Sequence, residues 1–250
     1  MYDRPELRDT HQRFWHAIRA GLSDAPEALS YPDDLWALWD SPDLYFTQAC
    51  GLPYRCGLHA RVTLIGTPDF GLQGCPPGYY RSCIVTRCDN PRRRLTDFAD
   101  ARLAYNEPHS QSGWSAIFHH ARQHGVVFKD LLSTGGHLAS ALAVAEGRAD
   151  LAAIDAQSWR LMQRYDDWTR ALHVIDHTDP TPGTPYITAD SAAAPDLARA
   201  ISRAITALTQ SDRDALGIRD LVPVPHEAYM ALPVPERPDQ FLSNAYPRKA

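Results

Sequence analysis

Arg102-Leu103-Ala104-Tyr105-Asn106-Glu107-Pro108-His109-Ser110-Gln111-Ser112-Gly113-Trp114 reads as a short apolar strand that ends in a polar turn and hands the chain to a helix. The first backbone N–H groups of a helix have no partner within it, and the positive end of its dipole lies at the same place. A strand-to-helix junction of this composition therefore suits an anion such as a phosphate, phosphonate or carboxylate. Ser110 and Ser112 add O–H donors, and Gly113 permits close approach to the backbone. Ser110 reads equally well as a plain helix N-cap.

Working outward, strands are expected over 102–105, 151–154 and 172–175, and helices over 114–124, 137–146 and 156–165. Strands alternating with helices at this spacing predict α/β layers on a mainly parallel sheet. Before this block, a helix is expected over 9–21 and strands over 43–48, 61–66 and 82–87. After it come a short strand over 186–188, an amphipathic helix over 195–208 and a proline-rich tail from Pro223. Proline lacks an N–H and fixes φ, so the tail is expected to wrap the surface without a long helix or central strand. Polar, proline-containing crossings near 88–94 and 176–185 bracket the strand–helix block. They predict two lobes: residues 1–88 and 182–250 form a discontinuous first lobe, and 89–181 an inserted second lobe. Small-molecule sites favour clefts at domain interfaces.

Two further junctions carry polar groups. Ser133-Thr134-Gly135-Gly136-His137 bends sharply into a helix, with His137 in its first turn, where it reads as an oxyanion donor or as an ordinary surface histidine. Leu151-Ala152-Ala153-Ile154-Asp155 ends with a carboxylate at the carboxyl edge of the sheet, where open α/β folds bind ligands. Asp155 reads as a ligand contact or as the N-cap of the next helix.

The balance of 25 Lys+Arg against 30 Asp+Glu, a net charge of −5, argues against nucleic acid as partner. No apolar run approaches the roughly 18 residues of a membrane span. The opening Met1-Tyr2-Asp3-Arg4-Pro5-Glu6 shows no basic-then-apolar leader, which leaves a cytoplasmic location open. Five cysteines, Cys50, Cys56, Cys75, Cys83 and Cys88, are spaced unlike a zinc ribbon, and most are read as small buried hydrophobes. The triplet Arg92-Arg93-Arg94 is read as a solvated face.

Taken together, Ala104-Tyr105-Asn106, Ser110-Gln111-Ser112-Gly113, Thr134-Gly135-Gly136-His137 and Gly147-Arg148-Ala149-Asp150-Leu151 through Asp155 resemble the phosphonate-binding proteins of ABC uptake systems, within the type 2 periplasmic-binding-protein superfamily. The resemblance implies a two-lobed α/β binding protein that closes on a small oxyanion-bearing ligand and has no catalytic residue, metal or cofactor. It implies a periplasmic setting and an ABC permease as partner. By position, Ser110, Gln111, Ser112 and Gly113 look like the family's anion-binding turn, with Gln111 standing where a third hydroxyl is common. His137 looks like its anion-binding histidine and Asp155 like the acidic residue that meets the ligand's amino end. Gln48, Tyr54 and Tyr80 fall where the family supplies first-lobe contacts. The alternative is a cytoplasmic enzyme of small-metabolite biosynthesis on the same scaffold, with Cys50 and His137 as its reactive groups.

Overall fold

A computed structural model describes residues 1–245. Its strands are β1 (Thr47–Gln48), β2 (Thr63–Asp69), β3 (Tyr79–Tyr80), β4 (Ser82–Arg87), β5 (Arg102–Tyr105), β6 (Asp130–Ser133), β7 (Leu151–Asp155), β8 (Leu172–His177), β9 (Thr181–Pro182), β10 (Tyr186–Thr188) and β11 (Asp220–Val222). Its α-helices are α1 (Arg8–Arg19), α2 (Leu35–Asp40), α3 (Gly51–Cys56), α4 (Ala116–Gln123), α5 (His137–Ala145), α6 (Ala156–Tyr165), α7 (Ala194–Ala207), α8 (Gln210–Leu216), α9 (His226–Met230) and α10 (Pro238–Ala245). The chain forms two compact units, Met1–Tyr79 with Thr181–Leu232, and Tyr80–Pro180 with the tail from Pro233.

In the second unit the strands run in the order β6-β5-β7-β4-β8. β5 pairs in parallel with both β6 and β7, while β4 runs antiparallel to its neighbours β7 and β8. Side chains alternate between the faces with the period of two that a strand imposes. Ile84, Leu103, Leu151 and Ala153 pack on one face with Trp114, Ile117, Phe118 and Phe241. Cys83, Val85, Ala104, Ala152 and Ile154 pack on the other with Ala141, Val144, Trp159 and Met162. Both faces are covered, which is why the middles of the central strands are apolar and their polar side chains, Ser82, Thr86, Arg87, Arg102 and Asp155, lie toward the strand ends.

The first unit is built on an antiparallel sheet in the order β1-β10-β2-β11. α7 packs on β2 and β11 through Leu197, Ile201 and Ile205, and α1 packs on α7. A cluster of Trp39, Leu44, Tyr54, Leu58, Ile187 and Tyr229 fills its core. Tyr229 is fully buried, and its hydroxyl donates to the Gly183 carbonyl at 3.0 Å and meets Thr67 Oγ1 at 2.6 Å.

The units depart from the sequence-based lobes at two places. Ser82–Arg87, assigned above to the first lobe, is a central strand of the second unit's sheet. Its apolar alternation shows that it is buried on both faces but not which sheet it joins. The tail divides, so that residues from Pro233 on join the second unit, where the Trp114 indole N–H donates to the Glu236 carbonyl at 2.8 Å and Phe241 stacks edge-on against Trp114. That tail is not a surface wrap: it holds α10, and Phe241 is buried. The strand expected over 43–48 shrinks to Thr47–Gln48, and the edge strand β6, half-buried and weakly patterned, has no counterpart in the sequence reading.

Tyr229→Phe removes one hydroxyl and leaves two buried oxygens short of a partner. We expect it to lower the unfolding free energy by about 1–3 kcal/mol, read from urea denaturation.

Candidate anion-binding site

β5 and β6 lie side by side in register, with Tyr105 opposite Ser133, so the turns that follow them emerge together. Thr134 N–H donates to the Tyr105 carbonyl at 3.0 Å and Gly135 N–H to the Asn106 carbonyl at 2.9 Å, which ties the second turn to the first. Gly135 takes φ +85°, a left-handed conformation that glycine adopts without cost. Thr134 Oγ1 meets Ser140 Oγ at 2.6 Å and fixes the start of α5 against its own turn.

The first turn continues into a π-helical segment, Gln111–Ser115, before α4 begins. π-Turns are rare and concentrate at functional sites. Ser110 Oγ accepts the Gly113 N–H at 2.9 Å, the capping role foreseen for it. Ser112 Oγ lies 2.8 Å from His137 Nε2, so the hydroxyl of one helix start and the imidazole of the next form a direct pair. Beneath them, Ser82 Oγ on β4 donates to the Ser112 carbonyl at 2.8 Å.

Asp155 is 1% exposed, and its carboxylate accepts the Ser158 N–H at 2.8 Å, capping α6. Burial pushes the His137 imidazole below its ordinary pKa, with the negative charge of Asp155 opposing. The second unit thus gathers two helix starts, two serine hydroxyls and a histidine at the carboxyl edge of its parallel strands, with Asp155 closing the next strand along.

Other expected residues play different parts. A Cβ on Gly113 would overlap the Asn106 side-chain oxygen, so this glycine makes room for Asn106. Asn106 Oδ1 is itself buried without a hydrogen-bond partner among the described residues. Gln111 is buried within the π-turn. Tyr80, placed above in the first lobe, belongs to the second unit and is buried there. Gln48 and Tyr54 lie in the first unit. The Gln48 amide donates to Thr184 Oγ1 at 2.7 Å and to its carbonyl at 3.0 Å. Tyr54 Oη meets His226 Nδ1 at 2.8 Å, and burial, aided by the charge of Glu227, pushes its pKa to about 12. Both polar groups are thus already engaged inside their own unit. Ser82 was not read as part of the site from sequence, because its contact with the Ser112 carbonyl joins segments 30 residues apart, and Asn106, Thr134 and Ser140 were quoted only within motifs and given no role of their own.

All five cysteines are free. Cys50 and Cys83 are buried as expected, whereas Cys56 and Cys88 are exposed and Cys75 is half-buried. Cys50 opens α3 within the core cluster of the first unit.

A mixed sheet covered on both faces, with polar helix starts at its carboxyl edge, is an architecture that can bind small ligands at that edge. A family model described as the phosphonate periplasmic substrate-binding protein of ABC transporters matches residues 60–227, and the chain belongs to that family, one of transport proteins and not of enzymes. Among solved structures, PhnD1 from Prochlorococcus marinus in complex with methylphosphonate is similar at TM-score 0.72 and 15% identity, over 91% of each chain. The binding component of an ABC phosphonate transporter from Pseudomonas aeruginosa is similar at TM-score 0.69 and 16% identity, over 91% of this chain and 80% of that one. The aliphatic sulphonate binding protein SsuA from Escherichia coli is similar at TM-score 0.52 and 16% identity, over 78% of this chain and 73% of that one. These likenesses establish the two-lobed type 2 periplasmic-binding-protein fold. No curated protein sequence matches the chain significantly.

His137 has a folded-state pKa below its ordinary 6.5, so as pH falls the unfolded chain takes up this proton first. Stability present above about pH 6.5 is therefore lost as pH drops through that value toward the folded pKa. His137→Gln, which keeps an amide to meet Ser112, should flatten the fall in melting temperature between about pH 7.5 and 5.5 relative to the parent.

Proposed function

We propose that this chain is the substrate-binding component of an ABC uptake system and that its second unit holds the anionic end of a phosphonate or a closely related oxyanion. The observation that carries this reading is the Ser112–His137 pair at two adjoining helix starts. A tetrahedral oxyanion accepts hydrogen bonds through several oxygens at once. Hydroxyls of Ser110 and Ser112, backbone N–H groups of the π-turn and of α5, and the imidazole supply donors from different directions.

The chain's net charge is −5, so attraction at long range contributes little and selectivity rests on these local donors. Asp155 then excludes a second negative group nearby and favours ligands whose other end carries an amine or hydroxyl, such as an aminoalkylphosphonate. A permease would receive the ligand from the loaded protein.

Thermal melts against methylphosphonate, 2-aminoethylphosphonate, phosphate, phosphite and methanesulfonate test this. A ligand at 100 times its Kd adds about 2.7 kcal/mol, which for a chain of this size raises the melting temperature by roughly 5–10 °C. We expect that rise with at least one phosphonate, and no rise across the panel overturns the reading. Ser112→Ala should weaken the same ligand about 10- to 100-fold by calorimetry, since it removes a hydrogen bond to a charged group.

A further inference from the structure

We propose that the second unit carries a divalent transition-metal site formed by His120 and His124 of the α4 segment and Asp176 of β8. One ligand atom from each lies within 4.8 Å of the others. A point no more than about 2.8 Å from all three atoms therefore exists, and small side-chain rotations bring it to the 2.0–2.2 Å of zinc bonds to nitrogen and oxygen.

The pairing follows from helix geometry. Residues four apart stack on one face of a helix, and the two imidazoles have ring centroids 4.4 Å apart. β8 brings a carboxylate to that face, with Asp176 Oδ2 2.9 Å from His120 Nε2.

Hydrogen bonds around the cluster orient two of these groups, His124 and Asp176, as metal ligands are oriented. His124 Nδ1 lies 2.9 Å from the His120 carbonyl, which only accepts, so the proton sits on Nδ1 and the lone pair of Nε2 is left available. The Asp176 carboxylate is positioned by the His177 N–H, which donates to Oδ1 at 2.8 Å and leaves Oδ2 for the imidazole side.

His120 shows what the arrangement lacks. Its ring is buried, and Nδ1 has no hydrogen-bond partner among the described residues. With the proton on Nε2, the Nδ1 lone pair is buried and unpaired. With the proton on Nδ1, the Nε2 lone pair faces a carboxylate oxygen, a repulsion that a cation between them turns into two bonds. Two imidazoles and one carboxylate suit zinc, nickel or copper and not magnesium or calcium, which take oxygen ligands. His124 is exposed and Asp176 half-exposed, so a hydrated ion has a route in and water can complete its coordination.

The test uses the full chain without a histidine tag, stripped with chelator and then dialysed free of it. Titration with Zn2+ is expected to show one tight site per chain, with Kd of about 10 µM or below, and Co2+ to give the visible absorption of low-coordinate cobalt. His124→Gln and Asp176→Asn should each weaken that site at least about 10-fold while circular dichroism shows the fold intact. His124 is exposed and the Asn side chain still accepts from His177, so neither change threatens folding. Zinc affinity unchanged in both variants, no binding at 100 µM Zn2+, or displacement by millimolar Mg2+ would each overturn the site.

Discussion

The parallel pairing of β5 with β6 is the constraint on which the site depends. Parallel strands in register end at the same level, so whatever follows each one starts from the same edge of the sheet. Here both continuations lead to helices, and the hydrogen bonds from Thr134 and Gly135 to the end of β5 hold the two turns together. Ser112 and His137, 25 residues apart, meet for this reason. Slipping the register by one residue would move the whole second turn to the other face.

Burial on both sheet faces keeps that register in place. The apolar alternation of β4, β5 and β7 feeds two separate cores, one under α4 and the tail helix and one under α5 and α6. The polar groups are displaced to the carboxyl edge, where helix starts give them partners. Ser82 shows the economy of the arrangement. It sits at the end of β4 opposite Asp155, and its hydroxyl satisfies the Ser112 carbonyl that the π-turn leaves pointing inward.

The same sheet separates two chemistries. At the strand ends, neutral donors and a histidine of lowered pKa form the surface proposed to take an anion. Along α4 and β8, imidazoles face a carboxylate, a donor set for cations. One needs protons to donate and the other lone pairs to offer, so the two sites do not compete for the same ligands.

Local pattern in the sequence determined β5, α6 and β10 to the residue, the polar turn before α4, and His137 at the first position of α5. These depend on periodicity and capping, which act within a few residues. Tertiary structure decided what depends on distant partners. It assigned Ser82–Arg87 and the segment from Pro233 to the second unit. It also committed Gln48 and Tyr54 to partners far along the chain and brought His120 and His124 to Asp176. A strand's alternation reports that it is buried but not beside which strand, and a side chain's type reports what it can bond but not what it will meet.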